Sequence, residues 1–109
     1  MKVKLSESVL RTIQKAFRSN QYEITGHCQK RMMERNIAEH VIKLCGQRGT
    51  PLELQFHGWD FKIILYDKQI DGRNIYIVTT ISTPSVVITA CNMESEVWED
   101  LNGLFIRKK

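Results

Sequence analysis

A chain of 109 residues, 42% hydrophobic and 26% charged, has the make-up of one globular domain with one core, which argues against disordered and membrane-spanning classes. No apolar run approaches the roughly 20 residues that a bilayer-crossing helix needs. The formal net charge of +4 and a pI of about 9.1 tilt the choice of partner toward something acidic, such as nucleic acid, without demanding it.

The first residues, Met1-Lys2-Val3-Lys4-Leu5-Ser6-Glu7, meet charge at once and offer no signal-peptide core. Cys28, Cys45 and Cys91 are odd in number, far apart and flanked by apolar residues. They read as buried thiols in a reducing compartment, so the expected location is cytoplasmic. No internal repeat or low-complexity segment is present.

Residues 6–18 have helical spacing. Val9, Leu10, Ile13, Ala16 and Phe17 share one stripe, and Arg11, Gln14, Lys15 and Arg18 lie opposite. Ser6 is the expected N-cap and Asn20 the expected stop. Thr25 is expected to cap a second helix running to Arg35, with Asn36 as its left-handed terminator. A third helix should run from about Ala38 to Cys45 on a stripe of Ala38, Val41, Ile42 and Cys45, closed by Gly46 and Gly49.

After Pro51 the period changes to two. Leu52, Leu54 and Phe56 alternate with Glu53 and Gln55, and Trp59 to Tyr66 is rich in β-branched and aromatic residues. Asp71-Gly72 signals a hairpin turn before a third strand, Ile75 to Ile81. Pro84 and Ser85 precede a fourth, Val86 to Cys91. Strands joined so closely should be antiparallel. Glu94 to Leu101 has the spacing of a short helix with Val97, Trp98 and Leu101 facing inward, ended by Asn102-Gly103. The expectation is α+β: residues 1–109 form a single domain, with N-terminal helices packed on one face of a roughly four-stranded antiparallel sheet.

The densest polar chemistry lies in Thr25 to Ile37. His27, Arg31 and Glu34 are spaced i, i+4, i+7 and share a narrow arc of the second helix, with Arg35 beside it. Cys28 and Met32 occupy the adjoining stripe, so the polar arc borders the buried face. The set suits RNA cleavage without metal. His27, with an ordinary pKa of about 6.5, can serve as base or acid. Arg31 and Arg35 offer forked donors to a phosphate whose charge grows in the transition state. Glu34 can act as base or orient an arginine. The same residues also have a purely structural reading: Glu34 pairs along the helix with Lys30 or Arg31, a contact worth only ~0.3–0.5 kcal/mol.

This stretch resembles the helix of an uncharacterised bacterial domain family whose members read T-x-H-x-x-x-R-M-x-E-R-x-I. That family is similar to the BrnT and RelE group of toxin–antitoxin ribonucleases. The resemblance is best over Thr25 to Ile37 and extends more weakly to Trp98. It implies a RelE-like fold, two or three helices on a curved antiparallel sheet. It further implies RNA cleavage, on the ribosome or in solution, and a cognate antitoxin that blocks the toxin. His27, Arg31, Glu34 and Arg35 are the matching positions. Cys28 stands where alanine is usual and Asn36 where glycine is usual.

Other residues are weighed by type. Tyr66, Arg73, Tyr76, Thr80 and Thr89 are candidate RNA contacts on the sheet, with alternating strand residues or an exposed turn as the plainer reading. His40 reads as a solvated surface residue and His57 as a loop residue. Three His and three Cys lack metal-site spacing, so neither metal nor cofactor is expected. Cys28 and His27 are adjacent on a helix and point about 100° apart, which does not make a dyad. Arg11, Lys15 and Arg18, with the Arg107-Lys108-Lys109 tail, are the first places to seek phosphate contacts. Two functions follow as expectations. One is a toxin-type ribonuclease whose partners are RNA, on the ribosome or off it, and an antitoxin. The other is a non-catalytic module on the same fold that binds nucleic acid or inhibits a protein. No membrane association is expected, and an exposed strand edge leaves room for a homodimer.

Overall fold

The structure, a computed structural model, describes residues 6–57, 60–69, 72–82, 84–93, 98–101 and 104–107; at 56, 57, 60, 98–101 and 104–107 the description is of the backbone. The elements are α1 (Glu7–Arg18), β1 (Tyr22–Ile24), α2 (Gly26–Arg35), α3 (Glu39–Arg48), β2 (Thr50–His57), β3 (Asp60–Lys68), β4 (Asn74–Thr80), β5 (Ser85–Asn92), β6 (Trp98–Leu101) and β7 (Leu104–Arg107). The expectations at Trp59, Asp71, Val97, Lys108 and Lys109 lie outside the described residues.

Capping chemistry sets the helix boundaries. The Ser6 hydroxyl accepts from the Val9 amide at 3.3 Å, and Thr25 Oγ1 accepts from the Cys28 amide at 3.0 Å. Asn20 and Asn36 adopt left-handed backbone at φ 60° and 54°, as short polar side chains allow. Past α2, the Ile37 amide donates to the Met32 carbonyl at 2.9 Å and closes the last turn. The third helix alone lacks a side-chain cap: its N-cap is Ala38, in extended backbone. Ala38→Asp should therefore raise stability by about 1 kcal/mol, seen as a higher midpoint in thermal unfolding.

Gly46 does not end α3, which continues to Arg48. It is buried inside the helix, and a Cβ there would overlap Cγ, Cδ1 and Cδ2 of Phe17. The missing side chain is what lets the Phe17 ring of α1 lie against the α3 backbone. That ring also stacks on Tyr22, centroids 4.8 Å apart, which ties α1 to β1.

The sheet has five strands in the order β1-β5-β4-β3-β2, and it is mixed, not purely antiparallel. The unexpected member is β1, which runs parallel to β5 with Tyr22 opposite Ser85 and Ile24 opposite Val87. Its three residues are too few to show a period, and only the arrival of β5 beside them makes a ladder. The Thr25 amide donates to the Val87 carbonyl at 3.2 Å, so the chain enters α2 directly from the sheet edge. At the other edge, β2 pairs with β3 through a register shift between Pro51 and Glu53, a position where an edge strand tolerates proline.

All three helices pack on one face. Ile13, Phe17, Cys28, Met32, Val41, Ile42 and Cys45 meet Ile63, Leu65, Ile75, Ile77, Val87 and Ala90 in one core. On the other face, Ile64 and Val78 are also buried, with Leu52, Tyr76 and Met93 packed against them. That face is therefore less solvated than simple alternation implies. Residues 98–101 are strand and not helix: β6 pairs antiparallel with β7, Leu101 opposite Leu104. The Asn102-Gly103 pair between them is a hairpin signal in sequence, which outweighs the i, i+4 apolar spacing.

Candidate functional site

One turn of extended chain and one capped helix place the polar arc. Because Thr25 is both hydrogen-bonded to β5 and the N-cap of α2, the first turn of the helix starts at the sheet edge. Cys28 and Met32 turn into the core, and this fixes the rotation of the helix. His27, Arg31 and Glu34 then lie along one flank. His27 is exposed in the first turn, and its imidazole makes no hydrogen bond among the described residues. Arg31 Nη1 donates to Glu34 Oε2 at 2.8 Å, with both side chains about two-fifths exposed (39% and 44%).

Arg35 differs from its neighbours. Its Nη1 donates to the Ala90 carbonyl at 2.7 Å and lies 3.1 Å from Cys91 Sγ. β1 covers β5 only from Ser85 to Val87, so Arg35 joins α2 to the stretch of β5 beyond. Arg35→Ala should cost about 1.5–3 kcal/mol, because a charged donor to the carbonyl of buried Ala90 is lost. Arg31→Ala should stay within about 0.5 kcal/mol, as exposed ion pairs do. Paired urea-unfolding curves separate the two.

The proposed RNA contacts do not form one surface. Arg11, Lys15 and Arg18 are exposed on α1, on the helical side of the sheet, with Arg11 3.5 Å from Glu7. Tyr66 and Tyr76 are cross-strand neighbours, both half-buried; Tyr76 packs on the opposite face, and the Tyr66 hydroxyl donates to Asn74 Oδ1 at 2.8 Å. Arg73 follows the turn in which Gly72 takes φ 90°, and its Nη1 donates to the Asn36 carbonyl at 3.0 Å. That contact brings the β3–β4 turn against the end of α2. His40 stands there too, exposed as expected, on the rim of a cleft shared with Arg73 and Gln69. Nothing in the sequence marks this grouping, since its members are 33 positions apart between His40 and Arg73 and meet only in the folded chain.

Cys28 and Cys45 are buried free thiols, while Cys91 is half-buried beside Arg35. Burial, with a smaller contribution from Cys91, pushes the Cys28 thiol up to about 11 against the opposing pull of Arg35, and burial above all pushes Cys45 up to about 12. Both thiols are neutral at pH 7. Since the folded values lie above the ordinary 9.0, their contribution to stability is complete below pH 9 and is lost as pH rises through about 11 to 12. Cys28→Ala should flatten the alkaline fall in unfolding free energy, measured by urea titration at successive pH values. Among the described residues no group of three or more His, Cys, Asp or Glu side chains converges as a metal site would require, and no helix is long and apolar enough to cross a membrane.

Three helices laid over a five-stranded mixed sheet, with a polar flank on the second helix, define an α+β domain. The family model of a domain of unknown function, DUF4258, matches residues 24–92, well over half of the chain, and the chain belongs to that family. The match begins at the end of β1 and closes with β5, so it contains α2, α3 and the flank carrying His27, and leaves α1 outside. No curated protein and no solved structure compared with the chain matches it.

Proposed function

We propose that this domain is a toxin-type endoribonuclease of the BrnT and RelE kind, with a RelE-like arrangement of helices on sheet. It cleaves RNA in the cytoplasm by metal-independent phosphodiester transfer and is restrained by a cognate antitoxin. The observation that carries the reading is His27: an exposed imidazole without an internal partner among the described residues, one turn from Arg31. In this scheme His27 moves the proton of the attacking 2′-hydroxyl or of the leaving 5′-oxygen. The 2′-oxygen bonds to phosphorus, and the bond to the 5′-oxygen breaks. Arg31 faces the phosphate charge, and Glu34 orients its guanidinium through the 2.8 Å contact. Arg35 supports the helix while remaining beside the arc, and Arg11, Lys15 and Arg18 extend a phosphate track along α1.

A second reading is a non-catalytic module that binds nucleic acid or inhibits a protein. It is favoured by the internal use of three of the four groups, Arg31 and Glu34 on each other and Arg35 on Ala90. An RNA-cleavage assay in EDTA decides between them, run on free RNA and on translating ribosomes, with a folded His27→Ala/Arg31→Ala variant alongside. Cleavage by the parent protein alone supports the nuclease. Cleavage by neither, in both formats, leaves the binding module.

A further inference from the structure

The two edges of the sheet are built differently. At one, β1 is three residues long, and beyond it Arg35 donates to the Ala90 carbonyl of β5. A short strand and a cation on the edge both discourage the addition of another strand. The other edge is β2, eight residues that carry no lysine or arginine. The direction of its backbone groups follows from β3. The Ile81 amide donates to the Phe61 carbonyl at 3.0 Å, so Phe61 turns its backbone polar groups toward β4. By alternation Ile63 and Leu65 do the same, and the β2 partners of these three, Phe56, Leu54 and Pro51, turn theirs outward. Pro51 has no N–H to offer, and the register shift follows it. The regular stretch open to pairing is therefore Glu53 to His57, and among the described residues no strand pairs with its outer side.

We infer that β2 pairs antiparallel with β2 of a second copy of this chain, about a two-fold axis at Gln55. Gln55 is the midpoint of the open stretch, so this register uses the whole of it. A register centred one residue earlier runs into the break at Pro51, and one centred one residue later runs past His57. With the axis at Gln55, Leu54 stands opposite the partner's Phe56, and the outward backbone groups of the two exchange hydrogen bonds. Glu53 stands opposite the partner's His57, an acid against a base, twice by symmetry, and no like charges meet. The apolar row agrees. Leu54 packs against the core under the helices, and its row continues through the partner's Phe56 to the partner's Phe61. Phe61 is 45% exposed, one of two exposed large apolar side chains among the described residues. A second copy meets all of these conditions with one stretch of sequence, which is the reason to prefer it to an unrelated strand. So short a ladder is a small interface, and a dissociation constant in the micromolar range is expected. The inference stands apart from RNA cleavage and is tested without it.

The test is sedimentation equilibrium of the full chain at concentrations from about 1 to 500 µM, a range that brackets micromolar association. Two variants at the axis accompany it. Gln55 lies across from Lys62 of β3, so Gln55→Glu adds an opposite charge within the chain while setting two carboxylates against each other across the axis. Gln55→Lys sets two cations there instead. Thermal unfolding establishes that each variant is folded. Each alone should dissociate about tenfold or more readily than the parent, and an equimolar mixture of the two should regain association. That recovery requires position 55 of one copy to face position 55 of the other, so it reports the register as well as the edge. A parent that stays monomeric throughout overturns the inference. So does a dimer that both variants leave intact, which would lie on another face, and so does a mixture of folded variants that fails to associate.

Discussion

His27→Ala is expected to lower RNA cleavage by about 10²–10⁴-fold while the thermal unfolding midpoint stays where it is. The two halves of that result rest on different observations. The imidazole is exposed and makes no hydrogen bond among the described residues, so its removal takes nothing from the core. The loss of rate follows from the proposed proton transfer, for which the neighbouring arginines are no substitute. A guanidinium stays protonated at any working pH. The signature is a fall in kcat with KM unchanged, because phosphate contacts survive the change. RNA binding by the variant, followed by filter retention, should keep the parent's salt dependence. If variant and parent cleave alike, the active centre is not on α2. If neither cleaves and binding merely follows basic charge, the domain is a binding module.

The second large effect concerns stability. Gly46→Ala should destabilise the protein by about 1–3 kcal/mol, the cost of forcing a methyl group into a filled core. On an exposed helix the same change would stabilise by roughly 1 kcal/mol, so the sign is diagnostic. The obstacle is the Phe17 ring, which is fully buried and occupies the place of the missing Cβ. A Phe17→Leu change alone should be destabilising through lost packing. Combined with Gly46→Ala it should cost less than the sum of the two, since the smaller side chain yields room to the methyl. A double-mutant cycle from urea curves measures that coupling. Strict additivity would mean that the two positions do not touch and would contradict the packing of α1 on α3.

The helices were legible because their signals are local. Ser6, Thr25 and Asn36 act on backbone groups a few residues away, and the apolar stripes of α1 and α2 follow the helical period. The strands β2 to β5 were legible for the same reason, from alternation and β-branched content. Where a local signal had two meanings the wrong one was easily taken. Gly46 is a terminator by habit and a packing residue here, and Asn102-Gly103 ends a helix or joins a hairpin with equal ease on paper.

By itself, the sequence determined that the chain is α+β, that helices come before most of the sheet, and that His27, Arg31 and Glu34 share one flank of α2. Periodicity and capping carry that information because they act within a turn or two of the chain. Only the tertiary structure decided the rest. The three residues of β1 became a parallel edge strand because β5 lay beside them, and Arg35 became a tie to β5 because Ala90 came within reach. Arg73 and His40 share a groove because two turns distant in sequence fold onto one corner. Contacts of that kind depend on which surfaces meet, and no pattern in a single stretch of chain records it.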